Sequence, residues 1–258
     1  MNAVWAIATV VIKELYRRKD FYVLFILTAL ITLLMGSMNF FGDDQLVRYL
    51  KEICLLLIWV SALVIAVTTA ARQIPVERES RTIFPLLAKP VTRGQVVLGK
   101  FLGCWMATAF SLAVFYLFFG LVCGAREHAW PVAGYLQAFW LQWWMLAIVV
   151  SMALAGSLVF AAPSSNATIC LVCTLALLLV GRHLNTVALT LKEPGQTILY
   201  GLYFAIPHLE FFDLRDFVIH NWPPIGWAVC AVATVYAGAY SALFLFVGWL
   251  LFRRKSLN

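Results

Sequence analysis

Charge is what this sequence has least of. Of its 258 residues only 12% are Asp, Glu, Lys or Arg, while 63% are apolar; a soluble domain carries about 25% and roughly 45 to 50%. A soluble monomer of this size must keep much of its residue set in water, and 12 acids with 19 bases cannot furnish that surface. Soluble globular folds are excluded, and lipid must be the main solvent. Also missing are a G-x-x-x-x-G-K-[ST] loop for nucleotide phosphates and an H-E-x-x-H zinc helix. The six cysteines (54, 104, 123, 170, 173 and 230) all fall inside apolar runs, unlike the framework of a secreted disulfide scaffold. They read as small core residues. Cys170-x-x-Cys173 lacks the second pair or nearby His that would complete a tetrahedral metal site.

What is present is apolar length. Crossing a hydrocarbon core of roughly 30 Å takes about 20 apolar residues. Six stretches answer, at 21–40, 53–71, 101–123, 139–162, 167–181 and 226–252, and none contains Asp, Glu, Lys, Arg or His. The intervening segments divide unequally. Residues 1–20, 72–100, 163–166 and 253–258 carry 13 Lys/Arg and 4 Asp/Glu, whereas 41–52, 124–138 and 182–225 carry 6 and 8. Because basic loops resist translocation, both termini are expected in the cytoplasm. The net charge of +7 is then an anchoring asymmetry, and no nucleic-acid partner is needed. The expected fold class is all-α, a single polytopic membrane domain of six spans.

Before the first span, Val4, Ala8, Val11, Ile12 and Leu15 fall at helical spacing opposite Lys13, Arg17 and Arg18. This predicts an amphipathic helix in the interface over residues 1–20, or else a frayed basic flank. The run from 21 lacks an A-x-A-like site, which argues against a cleaved signal. Between spans five and six, residues 182–225 contain Glu210, Asp213, Arg215 and Asp216. Burying such charges in a seventh span costs about 2.5 to 3.5 kcal/mol each near the centre. Two short helices broken at Pro207, partly buried or re-entrant and packed against the outer mouth, are expected instead.

The uncharged spans contain no relay, general base or carboxylate pair, although neutral oxygens could still hold sodium. His128, His183, His208 and His220 read as solvated loop residues, and Trp130, Trp140, Trp143, Trp144, Trp222 and Trp227 as interfacial anchors. Gly99/Gly103, Gly120/Gly124 and Thr234/Gly238/Ala242 put small residues a turn apart, which permits close helix approach within one chain or between two.

The only long cytoplasmic loop, 72–100, has definite local signals. Pro75 suits a first helical turn, Glu77 and Arg81 are spaced as an i, i+4 pair, and Pro85 disfavours helix at Phe84. A helix over 76–84 is expected. Thr92-x-x-Gln95 reads as a capping box flanked by Val91 and Val96 as a staple. Ile83, Phe84, Leu86 and Leu87 form an apolar cluster among Arg72, Arg78, Arg81, Lys89 and Arg93. It suits either lipid headgroups or a groove on a soluble motor protein.

The order of elements resembles the permease subunits of ABC transporters of the ABC-2 type, closest to the group that includes the nitrous oxide reductase maturation permease. The matching residues are Glu77-Arg78-Glu79 with Thr82, Leu86 to Val91 with Arg93, Leu98-Gly99-Lys100, and Ile206 to Glu210 before the last span. The resemblance implies a bacterial inner-membrane half-transporter in which two permease chains, alike or paralogous, pair above two ATPase subunits. ATP and Mg would bind the ATPase, and this chain would carry no cofactor, no metal and no catalytic residue. Residues 76–84 would be the coupling helix, with Glu77, Arg78, Glu79, Arg81, Thr82, Ile83, Phe84 and Leu87 at the ATPase, and the helices around Pro207 would form the outer gate. An exporter or translocator is expected, with the direction of transport left open. Ion-coupled transport or a channel, and a scaffold without transport, remain alternatives, and the residues leave the substrate open.

Overall fold

Each apolar run is punctuated by basic, proline or glycine residues, so the chain folds as successive helices. The computed structural model describes residues 3–17, 19–37, 43–81, 91–127, 130–190 and 193–254, and among these no strand occurs. In chain order the helices are α1 (Ala3–Arg17), α2 (Lys19–Ser37), α3 (Asp43–Arg72), α4 (Pro75–Glu79), α5 (Arg93–Glu127), α6 (Val132–Val159), α7 (Pro163–Thr190), α8 (Gly195–Ala205), α9 (Arg215–Ile219) and α10 (Trp227–Arg254). A 3-10 turn, Leu209–Phe212, lies between α8 and α9.

Four helical runs are long and apolar enough to cross a membrane: Val47–Glu79, Arg93–Glu127, Val132–Val159 and Trp227–Arg254. Phe21–Leu34 and Pro163–Leu179 are further apolar stretches among the described residues, within helices of 19 and 28 residues, respectively. The outer face of the bundle is apolar. Val23, Ile26 and Leu30 of α2, and Val229, Val232 and Val235 of α10, are exposed. A surface of this kind belongs against lipid.

The core centres on α6, which packs against α3, α5, α7 and α10 and buries Met145 to Val150 without interruption. The Gly99/Gly103 pair serves packing inside this chain. Gly99 and Gly103 of α5 admit α1 so closely that an added Cβ would stand 2.9 Å from the Val4 carbonyl and 2.7 Å from the Val11 side chain, respectively. The apolar stripe of α1 is therefore covered by protein, with Ile7, Ala8, Val11 and Leu15 buried, while Trp5 and Val10 remain exposed for lipid. Gly124 is covered by Trp130, and Gly238 lies near Trp144.

Two expectations about aromatic and titratable residues need correction. Trp143 stacks on Trp105 with centroids 4.4 Å apart, and the Trp105 indole donates to the Trp143 carbonyl at 3.0 Å. It lies eleven residues into α6, about 17 Å along the axis, so it cements helix to helix rather than marking an interface. Trp130, Trp222 and Trp227 are exposed as interfacial anchors would be. His208 is the second case, buried at 5% exposure, because the chain after Pro207 turns back into the bundle.

Candidate functional site

The residues expected to carry function lie at the end of the bundle that gathers Arg72, Arg93, Arg253 and Arg254, the basic end. Here α3 stops at Arg72, and a tight turn through Gln73 and Ile74 leads into α4. Pro75 occupies its first turn, where a missing N–H costs nothing. The helix is shorter than its sequence suggests. It ends at Glu79, with the Ser80 hydroxyl and amide both donating to the Val76 carbonyl, at 2.8 and 2.9 Å, and Arg81 adopts φ 57°. That left-handed turn stops the expected helix well before Phe84. Thr82, Ile83, Phe84 and Leu87 lie outside the described residues.

Glu77 turns inward instead of running up its helix toward Arg81. Its Oε1 is 2.6 Å from Lys100 Nζ, and this ammonium also donates to the Gln73 carbonyl at 3.1 Å and to Gln73 Oε1 at 3.3 Å. Lys100 is 1% exposed. A buried lysine is retained only where oxygens surround it, and here all three come from the α3–α4 turn. Lys100 therefore clamps that turn to α5. Sequence reasoning placed Lys100 among the matching residues without a partner. The available signal was its helical frame: Val97 and Cys104, three before and four after, are both buried.

The remaining members of the set face outward. Arg78 is half-buried, and Glu79 and Arg81 are exposed. Glu79 and Val76, with Thr68 and Arg72 of α3 and Pro163, Ser164 and Ala167 of α7, line a cavity of about 480 Å³. On the other side of the loop the capping box is formed, with the Thr92 amide donating to Gln95 Oε1 at 2.9 Å and the Gln95 amide to Thr92 Oγ1 at 3.3 Å. Next to it Arg93 Nη1 donates to the carbonyls of Phe252 and Arg253, at 2.6 and 3.0 Å. A cation on the last carbonyls of a helix is favourable, so the start of α5 is tied to the end of α10.

The opposite end repeats the device. Lys51 of α3 is fully buried, 2.5 Å from Glu127 Oε1 on α5 and 2.8 Å from Asn221 Oδ1. The α3–α5 pair is thus pinned at both ends by a buried lysine. Between these pins the segment after Pro207 dips into the bundle. The His208 amide donates to the Tyr236 hydroxyl at 2.9 Å, nine residues along α10, or about 14 Å from its start. The Arg215 guanidinium, held by Asp213 at 2.6 and 2.8 Å, lies 5.2 Å over the ring of Trp59, near the midpoint of α3. A returning segment thus brings an ion pair onto Trp59 of α3 and His208 onto Tyr236 of α10.

A lipid-facing bundle with a short helix between its two longest members is the arrangement that the sequence resemblance implies, and comparison with known families decides the matter. The profile described as ABC-2 family transporter protein matches residues 5–257. The chain belongs to that family. No individual curated protein matches it. As an ABC-2 family member it is the membrane component of an ABC transporter, a multi-pass protein whose partners are an ABC ATPase and the bilayer.

Proposed function

We propose that this ABC-2 chain is the permease subunit of an ATP-driven exporter of the bacterial inner membrane. It crosses six times, with both termini and the basic end in the cytoplasm, and pairs with a second permease chain above two ATPase subunits. ATP and Mg act on those subunits. The observation that carries this reading is the Lys100 clamp. A helix meant only to rest on headgroups needs no buried link to the core, whereas a helix that transmits force does, and α4 is joined through Glu77 and Gln73 to α5. Movement of an ATPase against Arg78, Glu79, Arg81 and the following Thr82 to Leu87 would then reach α3 and α5 together.

The finer kinship with the nitrous oxide reductase maturation group rests on residues 77–103 alone. The reading is tested by replacing Phe84 and Leu87 with Asp and measuring co-purification of the ATPase and its turnover. Loss of both is expected, and undiminished association would remove the docking role. A second reading, ion-coupled transport, draws on the buried His208 and the half-buried Glu210, Asp213 and Arg215. It requires the chain alone, reconstituted without ATP, to concentrate its cargo along an ion gradient.

A further inference from the structure

The returning turn builds a cavity whose chemistry specifies a ligand. A space of about 300 Å³ lies between Trp59 of α3, Leu178, Leu179 and His183 of α7, and Glu210, Asp213 and Arg215, a volume suited to a small headgroup. The Arg215 guanidinium is already neutralised by Asp213 through two hydrogen bonds, so Glu210 leaves the lining with a net negative charge. Glu210 lacks donors. Its Oε2 is buried with no hydrogen-bond partner, and its Oε1 has only His208 Nδ1, at 3.5 Å. The imidazole is committed elsewhere, its Nε2 donating to the Tyr203 carbonyl at 3.0 Å. Nδ1 too is buried without a partner.

Glu210 Oε2 is thus a buried acceptor with no donor, which is costly unless one arrives. The carboxylate is seated there because residue 181 is glycine, since a Cβ at that position would occupy the place of Glu210 Oε2. One wall is apolar and reaches lipid, for Leu179 is 71% exposed.

We propose that this cavity binds the ammonium head of an amphiphile, whose chain leaves past Leu178 and Leu179 into the bilayer. The ammonium places its N–H donors on Glu210. As a statement of substrate class this rests on the permease reading, but binding itself needs no ATPase.

The test uses the full chain in nanodiscs of lipids without primary amines, labelled with a photoreactive alkylamine. Labelling is expected on peptides containing Trp59 or Leu178 to His183. Dodecylamine should displace the probe about tenfold more effectively than dodecanol or dodecanoate, the worth of a charge-assisted contact. Adding phosphatidylethanolamine to the discs distinguishes a bilayer lipid from a free amine as the natural source, and displacement by either supports the site. Glu210→Gln and Gly181→Ala should each weaken labelling by about tenfold. Equal displacement by the three amphiphiles on the unmodified chain, or labelling confined to other helices, overturns the proposal whatever the variants do. Failure of ATPase co-purification would sink the transport reading and leave this result standing.

Discussion

Lys100 Nζ stands 2.6 Å from Glu77 Oε1, joining a five-residue helix to the interior of a thirty-five-residue one. The ammonium is fully buried, whereas the carboxylate side chain is 31% exposed, so the two partners are not equivalent. Glu77→Ala strands a buried charge on Gln73 alone, a class of change that costs about 3 kcal/mol. Lys100→Met removes the charge with similar volume and should cost less. Thermal unfolding in nanodiscs orders the variants, and a larger loss for Lys100→Met would contradict the assignment. Both variants should lower substrate-stimulated ATPase activity while the complex still assembles.

Close approach of α1 and α5 yields a contrast between two glycines. Gly103→Ala sets a Cβ 2.7 Å from the Val11 side chain and 2.9 Å from the Ala8 carbonyl. Overpacking of this kind costs about 1 to 3 kcal/mol. At Gly134, in the first turn of α6, an added Cβ would meet nothing within 4 Å, so Gly134→Ala should stabilise by up to about 0.5 to 1 kcal/mol through helix propensity. Opposite shifts in unfolding midpoint are the expected outcome.

At the entry to α5, Thr92→Ala removes one arm of the capping box and should cost about 1 kcal/mol, read as faster amide exchange over 93–96. Arg93→Met removes the bonds to Phe252 and Arg253 and the cation held 5.4 Å over the Phe252 ring. Exchange should then rise at the end of α10 as well, over 250–254. Fraying confined to α5 would mean that the two helices are not tied.

Asn221 holds φ 52° while its amide reaches Lys51. Asn221→Gly keeps the backbone and loses only the amide, whereas Asn221→Val also forces a β-branched residue into left-handed geometry. The second variant should be less stable than the first by roughly 1 to 2 kcal/mol. Unfolding midpoints measure the difference.

Signals that depend on neighbours in sequence were legible. The Thr92/Gln95 box, Pro75 at a helix start and the break at Pro207 act over a few bonds, and each has its expected geometry. The reach of α4 was less so, because Ser80 and Arg81 end it by a left-handed turn that Pro85 does not foreshadow. The docking residues Thr82 to Leu87 fall outside the described structure, so their role stands on sequence and on the clamp beside them. His208 was misjudged because it is one of four scattered histidines outside the apolar spans, and nothing local reveals that it folds back against Tyr236.

Composition and hydropathy alone determined that the chain lives in lipid as a helical bundle, since a surface so poor in charge has no other solvent and an unpaired backbone has no other shelter there. Which charges meet was decided only by tertiary structure. Glu77 with Lys100, Lys51 with Glu127, and Glu210 against His208 lie 23, 76 and 2 residues apart, and each meeting depends on how helices align or turns return, which residue spacing does not encode.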